Sequence, residues 1–576
     1  MPEMRDTADM RLKVLLYGIF FSLVVLCSGV YFLQVMQADR YVRLAYNNRL
    51  RLIRHSPPRG EIFDRNGVPL AVNEKTFSIM GYPMDLDRHG MLPHLSELLS
   101  RHGIPMSVED LAGTIRRQRW APHHVIRLVP NLTMAQMAEL VADPEFPGQF
   151  FPLPVWRRVY PAGPLAAHVI GHVGEISEAQ LRASPPGERS GGDIVGKTGI
   201  ERYYETLLRG VRGEEAIEVN ARGRKVGVVS RRPAEKGQDL HLTLDMGAQQ
   251  LAAGILEGHT GSIVVMDVRT GAVLVSASSP TYDNNPFAWG ISTREWQEIA
   301  GNNNKPMLDR VIAGVYPPAS TFKALVALAA LEENIVTPNT TYNCTGALRL
   351  PTRTFHCHRR AGHGRQNLVA ALQNSCNYYF YQIGMNLGIE RLLRWARKFG
   401  VGSPTGIDLP GESAGNAAGP EWKRARFNER WFQGDTINYS IGQGFLLTTP
   451  LQIALMYAAL ANGGYLVTPH LLPLNAREPI SLGINQENLR LVKRGLDYAV
   501  SRGTGTGAGR FGVRVAGKTG TAQVSGNLPN ALFAGYAPAD APRYVAVATI
   551  EGGRFGGRVA APMVGQILAH VLSHQP

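Results

Sequence analysis

The chain has 576 residues, so at roughly 100–200 residues per domain it should hold several domains, which excludes a peptide or a single small module. Hydrophobic residues make up 44% of the chain and charged residues 18%, a globular composition that excludes intrinsic disorder. The 60 basic residues outnumber the 46 acidic ones by a net charge of +14, which suits an anionic partner, but we find no zinc-finger or homeodomain-like motif and expect no nucleic acid as a partner.

The N-terminal stretch at 14–36 predicts a membrane-spanning helix. No charged side chain lies between Lys13 and Asp39, and a helix of that length crosses the roughly 30 Å of hydrocarbon in a bilayer. A cleavable signal peptide would end a shorter apolar core in small residues, whereas this run continues past Cys27. We therefore expect a tail at 1–13 and an uncleaved anchor at 14–36 that attaches the chain to the lipid bilayer through one helix.

Residues 37–236 predict an elongated α+β pedestal without obvious chemistry. Short apolar runs alternate with turns there, and Asn66-Gly67 predicts a tight hairpin that uses positive φ angles. Apolar residues at helical spacing predict helices at 91–101 and 133–142.

Residues 237–576 predict a second domain. Apolar patterns typical of strands lie at 239–245, 261–267, 272–276, 513–515 and 544–549. A helix follows the first strand through Ala253, and Ala-rich helices separate the early strands from the late ones. This order predicts an antiparallel sheet covered by helices, so the fold class of the whole chain is α+β.

The pair Ser320 and Lys323 is the first candidate for chemistry. Two prolines, at 317 and 318, mark a helix entry, so Ser320 falls in the first turn and shares a face with Lys323. A lysine that is partly neutral through burial can take a proton from a serine hydroxyl, and backbone N–H groups at a helix N-terminus can stabilise an oxyanion. No other lysine in the chain has a serine three positions earlier.

A second motif, Ser375-Cys376-Asn377, offers a hydroxyl for proton relay and an amide that can hold a substrate carbonyl. The motif is short, and residues 525–527 have the same Ser-x-Asn pattern.

The third motif is Lys518-Thr519-Gly520-Thr521, whose flanking residues place it on a strand. On an edge strand it could bind an extended peptide by strand addition, with Lys518 and Thr519 taking a carboxylate. A second Lys-Thr-Gly at 197–199 precedes the serine motif and leads into a predicted helix start, so we reject it.

These motifs, in this order, resemble those of the penicillin-recognising serine acyl transferases. Other segments resemble class B penicillin-binding proteins, and more narrowly their elongation type, penicillin-binding protein 2. The segments that carry this resemblance are Arg59-Gly60 with Asp64-Arg-Asn-Gly67, 196–204, 315–318, 434–437 and 441–444. The resemblance implies an anchor, a pedestal related to the family's dimerisation domain, and a transpeptidase domain.

By this resemblance Ser320 attacks the penultimate D-alanine carbonyl of a peptidoglycan stem pentapeptide. D-alanine leaves, and an amine from a neighbouring strand accepts the acyl group. Lys323 would be the base, and the backbone N–H groups of Ser320 and Thr521 would form the oxyanion hole. β-Lactams would acylate the same serine.

The resemblance also implies a partner and a compartment. No glycosyltransferase domain precedes the pedestal, so a RodA-type glycan polymerase in the membrane would supply the strands. Arg11 and Lys13 on one side of the anchor compete with basic residues on the other, and the charge rule leaves orientation open. Since the substrate lies outside the cytoplasmic membrane, we expect a single-pass inner-membrane protein with a cytoplasmic N-terminus and a periplasmic catalytic domain.

Alternative functions remain open at this point. The domain could be a β-lactam sensor, although one span and a long pedestal are unlike the usual multi-span sensor. It could be a hydrolase, either a β-lactamase or a D,D-carboxypeptidase, or a non-catalytic activator of the polymerase.

The cysteines outside the anchor suggest a metal site. Cys344, Cys357 and Cys376 flank a segment that is poor in apolar residues, and with His363 they complete a tetrahedral structural zinc site. His363 is preferred because His356 and His358 crowd Cys357. The alternatives are a Cys344–Cys357 disulfide with a buried Cys376, or reduced thiols without metal. The chemistry itself would need no cofactor.

Overall fold

A computed structural model describes residues 3–41, 50–81, 90–118, 125–219, 225–351, 353–524 and 528–574. It divides into two compact units. The first unit comprises Met1–Pro57, Thr76–Val155 and Val211–Glu235, and the second comprises Pro58–Lys75, Trp156–Gly210 and Lys236–Pro576. This division groups parts of the predicted pedestal with the C-terminal domain, and the boundary between 236 and 237 stays a prediction.

The α-helices follow one another along the described part of the chain. They are α1 (Glu3–Tyr31), α2 (Met91–Arg101), α3 (Val108–Gln118), α4 (Met134–Ala142), α5 (Ala167–Ile170), α6 (Glu178–Arg182), α7 (Gly199–Tyr203), α8 (Glu205–Leu208), α9 (Met246–Ile255), α10 (Asn285–Trp289), α11 (Thr293–Ala300), α12 (Lys323–Glu332), α13 (Leu368–Gln373), α14 (Asn377–Lys398), α15 (Pro420–Phe427), α16 (Gln433–Ser440), α17 (Pro450–Ala461), α18 (Gln486–Ser501) and α19 (Ala560–His574).

The strands complete the α+β architecture that the sequence predicts. They are β1 (Leu50–His55), β2 (Ile62–Phe63), β3 (Pro69–Gly81), β4 (Ile126–Leu132), β5 (Phe151–Val159), β6 (Val173–Glu175), β7 (Ile194–Gly196), β8 (Gly213–Val219), β9 (Lys225–Arg232), β10 (Leu240–His241), β11 (Gly261–Asp267), β12 (Val273–Ser279), β13 (Tyr342–Cys344), β14 (Ala347–Arg349), β15 (Thr354–His356), β16 (Gly364–Gln366), β17 (Tyr465–Leu466), β18 (Ile480–Ser481), β19 (Ala516–Ala522), β20 (Asn530–Ala537) and β21 (Tyr544–Ile550).

The N-terminal helix is long and apolar enough to cross a membrane. The span runs over Asp9–Met36, 28 residues with a mean hydropathy of 2.2, and its last residues form a π-helical turn at Phe32–Met36. None of this span is buried within the protein. The apolar side chains therefore need another apolar environment, which a bilayer provides.

The first unit packs small helices and sheets around its own core. Leu95, Leu98 and Leu99 of α2 bury against Ile79 and Leu128, so α2 extends over the residues that the spacing predicts. Helix α4 begins one residue later than predicted, because the side chain of Thr133 caps it by accepting a hydrogen bond from the N–H of Gln136. Strands β1, β8 and β9 form a separate antiparallel sheet in this unit.

The predicted hairpin at Asn66-Gly67 joins β2 and β3, which pair antiparallel. Gly67 has a φ of 83°, but Asn66 keeps a negative φ, so the turn needs only one left-handed residue rather than two. The buried Asp64 carboxylate closes the loop by accepting hydrogen bonds from the N–H groups of Asn66 and Val68, both at 2.8 Å. It also accepts one from Met246 N at 3.1 Å, which ties this loop to the start of α9.

A buried ion network stabilises the second unit. Glu201 is fully buried and accepts hydrogen bonds from Arg59 Nε at 2.5 Å and Arg158 Nε at 2.6 Å, while Arg59 Nη2 lies 2.6 Å from Glu205. Burial alone would raise the pKa of Glu201, but Arg158 and Arg59 outweigh it and hold that pKa below its ordinary value. Glu201 is therefore charged, and it compensates two buried guanidinium groups.

Replacing Glu201 by glutamine should destabilise the protein by about 3–5 kcal/mol, because it leaves buried arginine charge uncompensated. Thermal unfolding of the full-length chain in detergent would show a lower midpoint. The matched control is Glu178→Gln, which removes an exposed pair with Arg182 and should leave the midpoint unchanged. Equal midpoints for the two variants would contradict the stabilising role of Glu201.

The main sheet of the second unit has the strand order β12-β11-β21-β20-β19, and every neighbouring pair is antiparallel. Val264 and Met266 of β11 face one core together with the residues of α12 and α17. Ile263 and Val265 face the other core, which includes α9 and α19. Helices therefore cover both faces, as predicted for an antiparallel sheet.

Two predicted strands differ from the observed ones. The prediction at 239–245 shortens to the two residues of β10, since Asp245 already caps α9 by accepting a hydrogen bond from Ala248 N. The prediction at 513–515 is wrong: that strand begins at Ala516 and carries the Lys-Thr-Gly residues themselves.

Candidate active site and metal cluster

Ser320 lies in a 3-10 turn, Ala319–Thr321, immediately before α12. The turn is strained and tightly held, because Ala319 has a φ of 49° and its N–H donates to the Gly442 carbonyl at 2.8 Å. A Cβ at Gly442 would lie 2.2 Å from the Ala319 carbonyl oxygen, so only glycine allows this approach. Ser320 itself is partly exposed, as a residue that meets substrate must be.

Lys323 begins α12, three residues after Ser320, and is fully buried. Its Nζ donates to Asn377 Oδ1 at 2.6 Å and to the Ser375 carbonyl at 3.0 Å, with Ser375 Oγ 3.4 Å away. Burial lowers the pKa of Lys323 to about 8, although the thiolates of the neighbouring cysteines oppose that shift. A substantial fraction of this amine is therefore neutral near physiological pH.

The rate of acylation by benzylpenicillin should rise with pH through about 8, since only the neutral amine of Lys323 can accept a proton from Ser320. With that pKa, about one tenth of the lysine is neutral at pH 7 and about nine tenths at pH 9, which predicts a rise of about tenfold. Stopped-flow acylation across this range measures it. A flat profile on protein that stays folded would contradict the assignment.

The Ser375-Cys376-Asn377 motif meets Lys323 at the start of α14. Ser375 is buried with a φ of 53°, a strained conformation that places both its carbonyl and its hydroxyl near the lysine. Asn377 receives the lysine on Oδ1, and its Nδ2 donates to the His356 carbonyl at 3.4 Å. Lys323 of the first motif therefore forms one hydrogen-bonded cluster with the second motif. The competing pattern at 525–527 lies outside the described residues.

The third motif occupies β19, which is the last strand on its side of the main sheet. Lys518 is fully buried, and burial together with the nearby charge of Lys323 lowers its pKa well below its ordinary value. Its Nζ lies 3.2 Å from both the hydroxyl and the carbonyl of Thr519. A Cβ added to Gly520 would lie 3.2 Å from the Pro318 carbonyl and 3.3 Å from Thr321, so β19 passes directly beside the serine turn.

Thr521 is exposed at the end of the motif, and its carbonyl accepts a hydrogen bond from Gln443 Nε2 at 3.3 Å. Thr504 is a further polar residue at this site, which sequence reasoning missed. Its hydroxyl lies 2.8 Å from that of Thr519 and 3.5 Å from Lys518 Nζ. Thr504 follows α18 in a Gly-Thr-Gly-Thr-Gly run, and that run was the only available signal.

The rejected Lys-Thr-Gly at 197–199 lies at a helix start, as predicted. Thr198 is the N-terminal flanking residue of α7, and its hydroxyl lies 3.1 Å from His172 Nδ1.

The four predicted metal ligands converge. The ligand atoms of Cys344, Cys357, His363 and Cys376 all lie within 4.8 Å of one another. His363 Nδ1 is 3.5 Å from Cys357 Sγ and 3.7 Å from Cys344 Sγ, so His363 is the histidine of this segment that joins the cluster of thiols. The cysteines are free thiols rather than a Cys344–Cys357 disulfide.

The chemistry and size of this cluster fit a tetrahedral zinc ion. Zinc at about 2.3 Å from sulfur and 2.0 Å from nitrogen places its ligand atoms roughly 3.5–3.8 Å apart. Cys376 donates its S–H to Cys357, which holds the pKa of Cys357 well below its ordinary value and raises the pKa of Cys376. The cluster therefore already favours a thiolate, the form of cysteine that binds zinc.

Two protein-family models match this chain. The penicillin binding protein transpeptidase domain matches residues 261–569, and the penicillin-binding protein dimerisation domain matches residues 54–242. Together they account for most of the chain outside the N-terminal helix.

Named relatives match over nearly the full length. Peptidoglycan D,D-transpeptidase MrdA of Haemophilus influenzae is 35% identical over 616 residues, which cover 99% of this chain and 93% of the relative. The complex of penicillin-binding protein PBP2 with MreC from Helicobacter pylori has a chain with a TM-score of 0.83 and 31% identity, covering 91% of this chain and 99% of its own. A peptidoglycan synthase complex that coordinates polymerization and crosslinking contains a similar chain. Its TM-score is 0.72 and its identity 30%, and the match covers 98% of this chain and 99% of that chain.

Proposed function

The chain belongs to the class B penicillin-binding proteins of the elongation type, the penicillin-binding protein 2 family of peptidoglycan D,D-transpeptidases, and on this basis we propose that Ser320 is its nucleophile. The observation that carries the proposal is the bonding of Lys323, whose Nζ joins the serine motif to Asn377 at 2.6 Å and Ser375 at 3.0 Å. One buried amine thus couples two of the motifs.

In this mechanism neutral Lys323 takes the proton of Ser320 as Oγ bonds to the penultimate D-alanine carbonyl carbon of a stem pentapeptide. The resulting oxyanion lies against the backbone N–H groups of Ser320 and Thr521. The bond to the terminal D-alanine then breaks, and its nitrogen receives a proton through the Lys323–Ser375 pair. An amine of a second stem peptide attacks the acyl-enzyme, which forms the cross-link and restores the serine hydroxyl.

The edge position of β19 supports strand addition as the binding mode. A stem peptide extended along β19 would have its terminal carboxylate near Lys518 and Thr519. Asn377, already oriented by Lys323, would donate to a substrate carbonyl from the opposite side.

Peptide mapping after reaction with benzylpenicillin tests the nucleophile. The full-length chain in detergent should gain one penicilloyl group on the peptide that contains Ser320. An adduct on another serine, or no adduct on folded protein, would overturn the assignment.

We further propose that Cys344, Cys357, His363 and Cys376 hold a structural zinc ion. The support is the convergence of their ligand atoms within 4.8 Å and the thiolate character of Cys357. Zinc would cross-link the segment between β13 and α14, whose stretch at 350–363 is poor in apolar residues. Because Cys376 lies between Ser375 and Asn377, the ion would also fix the two groups that hold Lys323.

Cys357→Ala should therefore lose bound zinc, lower the thermal midpoint and slow acylation by penicillin, since metal binding contributes directly to folding free energy. Elemental analysis and thermal unfolding of the full-length chain measure these effects. Cys27→Ala is the matched control, because Cys27 is a cysteine of the N-terminal helix that is not among the four predicted ligands. Wild-type chain that purifies without zinc and acylates at the normal rate would contradict the metal site.

The placement in the cell completes the proposal. The apolar helix would anchor the chain in the inner membrane with residues 1–13 in the cytoplasm and the transpeptidase domain, 237–576, in the periplasm. A RodA-type polymerase would supply nascent glycan, since neither matched family model is a glycosyltransferase. Relatives found with MreC and in a synthase complex support such an assembly.

A further inference from the structure

A cluster of aromatic rings lies beside the catalytic turn and has no part in the mechanism above. It is formed by residues from α15, the segment that follows it and the loop after α16. We call it the aromatic platform, and its members are Trp422, Phe427, Trp431, Phe432 and Phe445.

The rings of the aromatic platform are held in fixed positions. Phe445 lies 5.4 Å from Trp422 and 5.5 Å from Phe427, centroid to centroid. Beneath them the buried Lys423 extends its Nζ to 4.6 Å from the Phe432 ring and 5.5 Å from the Phe445 ring. Asp435 fixes that ammonium at 2.8 Å. The platform is therefore preorganised rather than loosely packed.

Two of these rings face solvent. Phe427 is 49% exposed and Phe432 is 46% exposed. The Phe427 ring has aromatic neighbours, but those neighbours do not cover it. Arg424, Arg426 and Arg430 are exposed on the same short segment, and Arg430 lies over the Phe432 ring at 5.1 Å. Aromatic faces thus stand next to unburied guanidinium groups, an arrangement that suits a ligand with both apolar ring faces and negative charge.

The aromatic platform is continuous with the catalytic site. Phe445 lies three residues beyond Gly442, whose carbonyl holds the N–H of Ala319 next to the nucleophile. Between them Gln443 donates to the Thr521 carbonyl at 3.3 Å on the opposite wall of the site. A ligand covalently attached to a peptide in the site could therefore reach the platform without crossing to another unit.

We propose that the aromatic platform binds the glycan of the peptidoglycan strand whose stem peptide is at Ser320. Pyranose rings present C–H faces that pack on aromatic rings, and the carboxylates of the attached peptides match the arginines in charge. The inference rests on the proposed function, because it extends the same substrate beyond its reacting peptide. It assigns to this surface the recognition of sugar rings, which the serine, lysine and threonine motifs do not contact.

Kinetics with two substrates test the proposal on the full-length chain in detergent. One substrate is a glycan oligomer that carries pentapeptide stems, and the other is the same pentapeptide without sugar. For Phe427→Ala/Phe432→Ala, kcat/KM for the glycan substrate should fall about tenfold, chiefly through KM, while the sugar-free peptide changes less than about twofold. Arg424→Gln/Arg426→Gln should lower kcat/KM for the glycan substrate alone. Added salt should reduce the difference in kcat/KM between this variant and wild type.

The matched control is Tyr465→Ala/Arg490→Gln, which removes a 46% exposed aromatic ring and an exposed arginine beyond the C-terminal end of α17. This control should leave kcat/KM unchanged for both substrates. Equal losses on the two substrates would show that the platform only supports the fold, and no loss on the glycan substrate would exclude it as a sugar site. A loss seen only when a polymerase is present would assign the surface to a protein partner and overturn the proposal. Failure of the proposed function would show separately, as a wild-type chain without a penicilloyl adduct on Ser320.

Discussion

Replacement of Ser320 by alanine should abolish the penicilloyl adduct and reduce cross-linking by about 10³-fold or more. The reason is that the neighbouring hydroxyl cannot replace it: Ser320 is partly exposed, whereas the hydroxyl of the adjacent Thr321 is buried and donates to the Pro318 carbonyl. Mass spectrometry of the treated chain and release of D-alanine from pentapeptide measure the two losses.

The matched control for this variant is Ser481→Ala, an exposed serine on β18. It should acylate at the wild-type rate, and both variants should unfold at the wild-type temperature. Retention of a stoichiometric adduct by the Ser320→Ala protein would show that another residue is the nucleophile. Loss of activity together with a lower unfolding temperature would show a structural effect instead.

Loss of the Lys323 amine should have an effect of similar size. We expect Lys323→Met to slow acylation by about 10³-fold, because it removes the amine that would accept the proton of Ser320. Methionine has a similar length and no charge to bury, so the variant should fold, with an unfolding temperature at or above that of wild type.

The Lys323→Arg variant tests whether Lys323 acts as a base or through its charge. Its guanidinium stays protonated, so Lys323→Arg keeps a positive charge beside Ser375 and Asn377 but supplies no base. This variant should therefore be as slow as Lys323→Met, and neither should show the rise in rate through pH 8. An arginine variant that acylates within tenfold of wild type would mean that Lys323 acts through its charge alone.

Short motifs made the contacts of the candidate site predictable from sequence. Each of the three motifs keeps its polar groups within four residues. Their identities and their order were therefore enough to predict that Ser320, Lys323 and Lys518 belong to one site. The predicted strand at 513–515 failed for a physical reason. Val513-Arg-Val515 alternates as a half-buried strand does, but β19 is buried on both faces over most of its length and, apart from Lys518, consists of small residues without that alternation.

Polar contacts between residues that are distant in sequence could not be predicted from the sequence. Glu201 meets Arg59 across 142 residues and Arg158 across 43, and each residue alone looks like ordinary surface charge. The resemblance to class B penicillin-binding proteins drew attention to Arg59 but gave it no partner. The aromatic platform was missed in the same way, because Trp422 and Phe445 belong to different segments that meet only in the fold.

The open edge of β19 has a consequence beyond substrate binding. In the described part of the chain β19 pairs with β20 alone, and it has neither a proline nor an outward-pointing charged side chain among its seven residues. Proteins usually use such residues to stop sheet edges from joining one another. If substrate adds to this edge, as proposed, the edge has to lack that protection, and extended peptides without a β-lactam ring should compete for it and inhibit the enzyme reversibly.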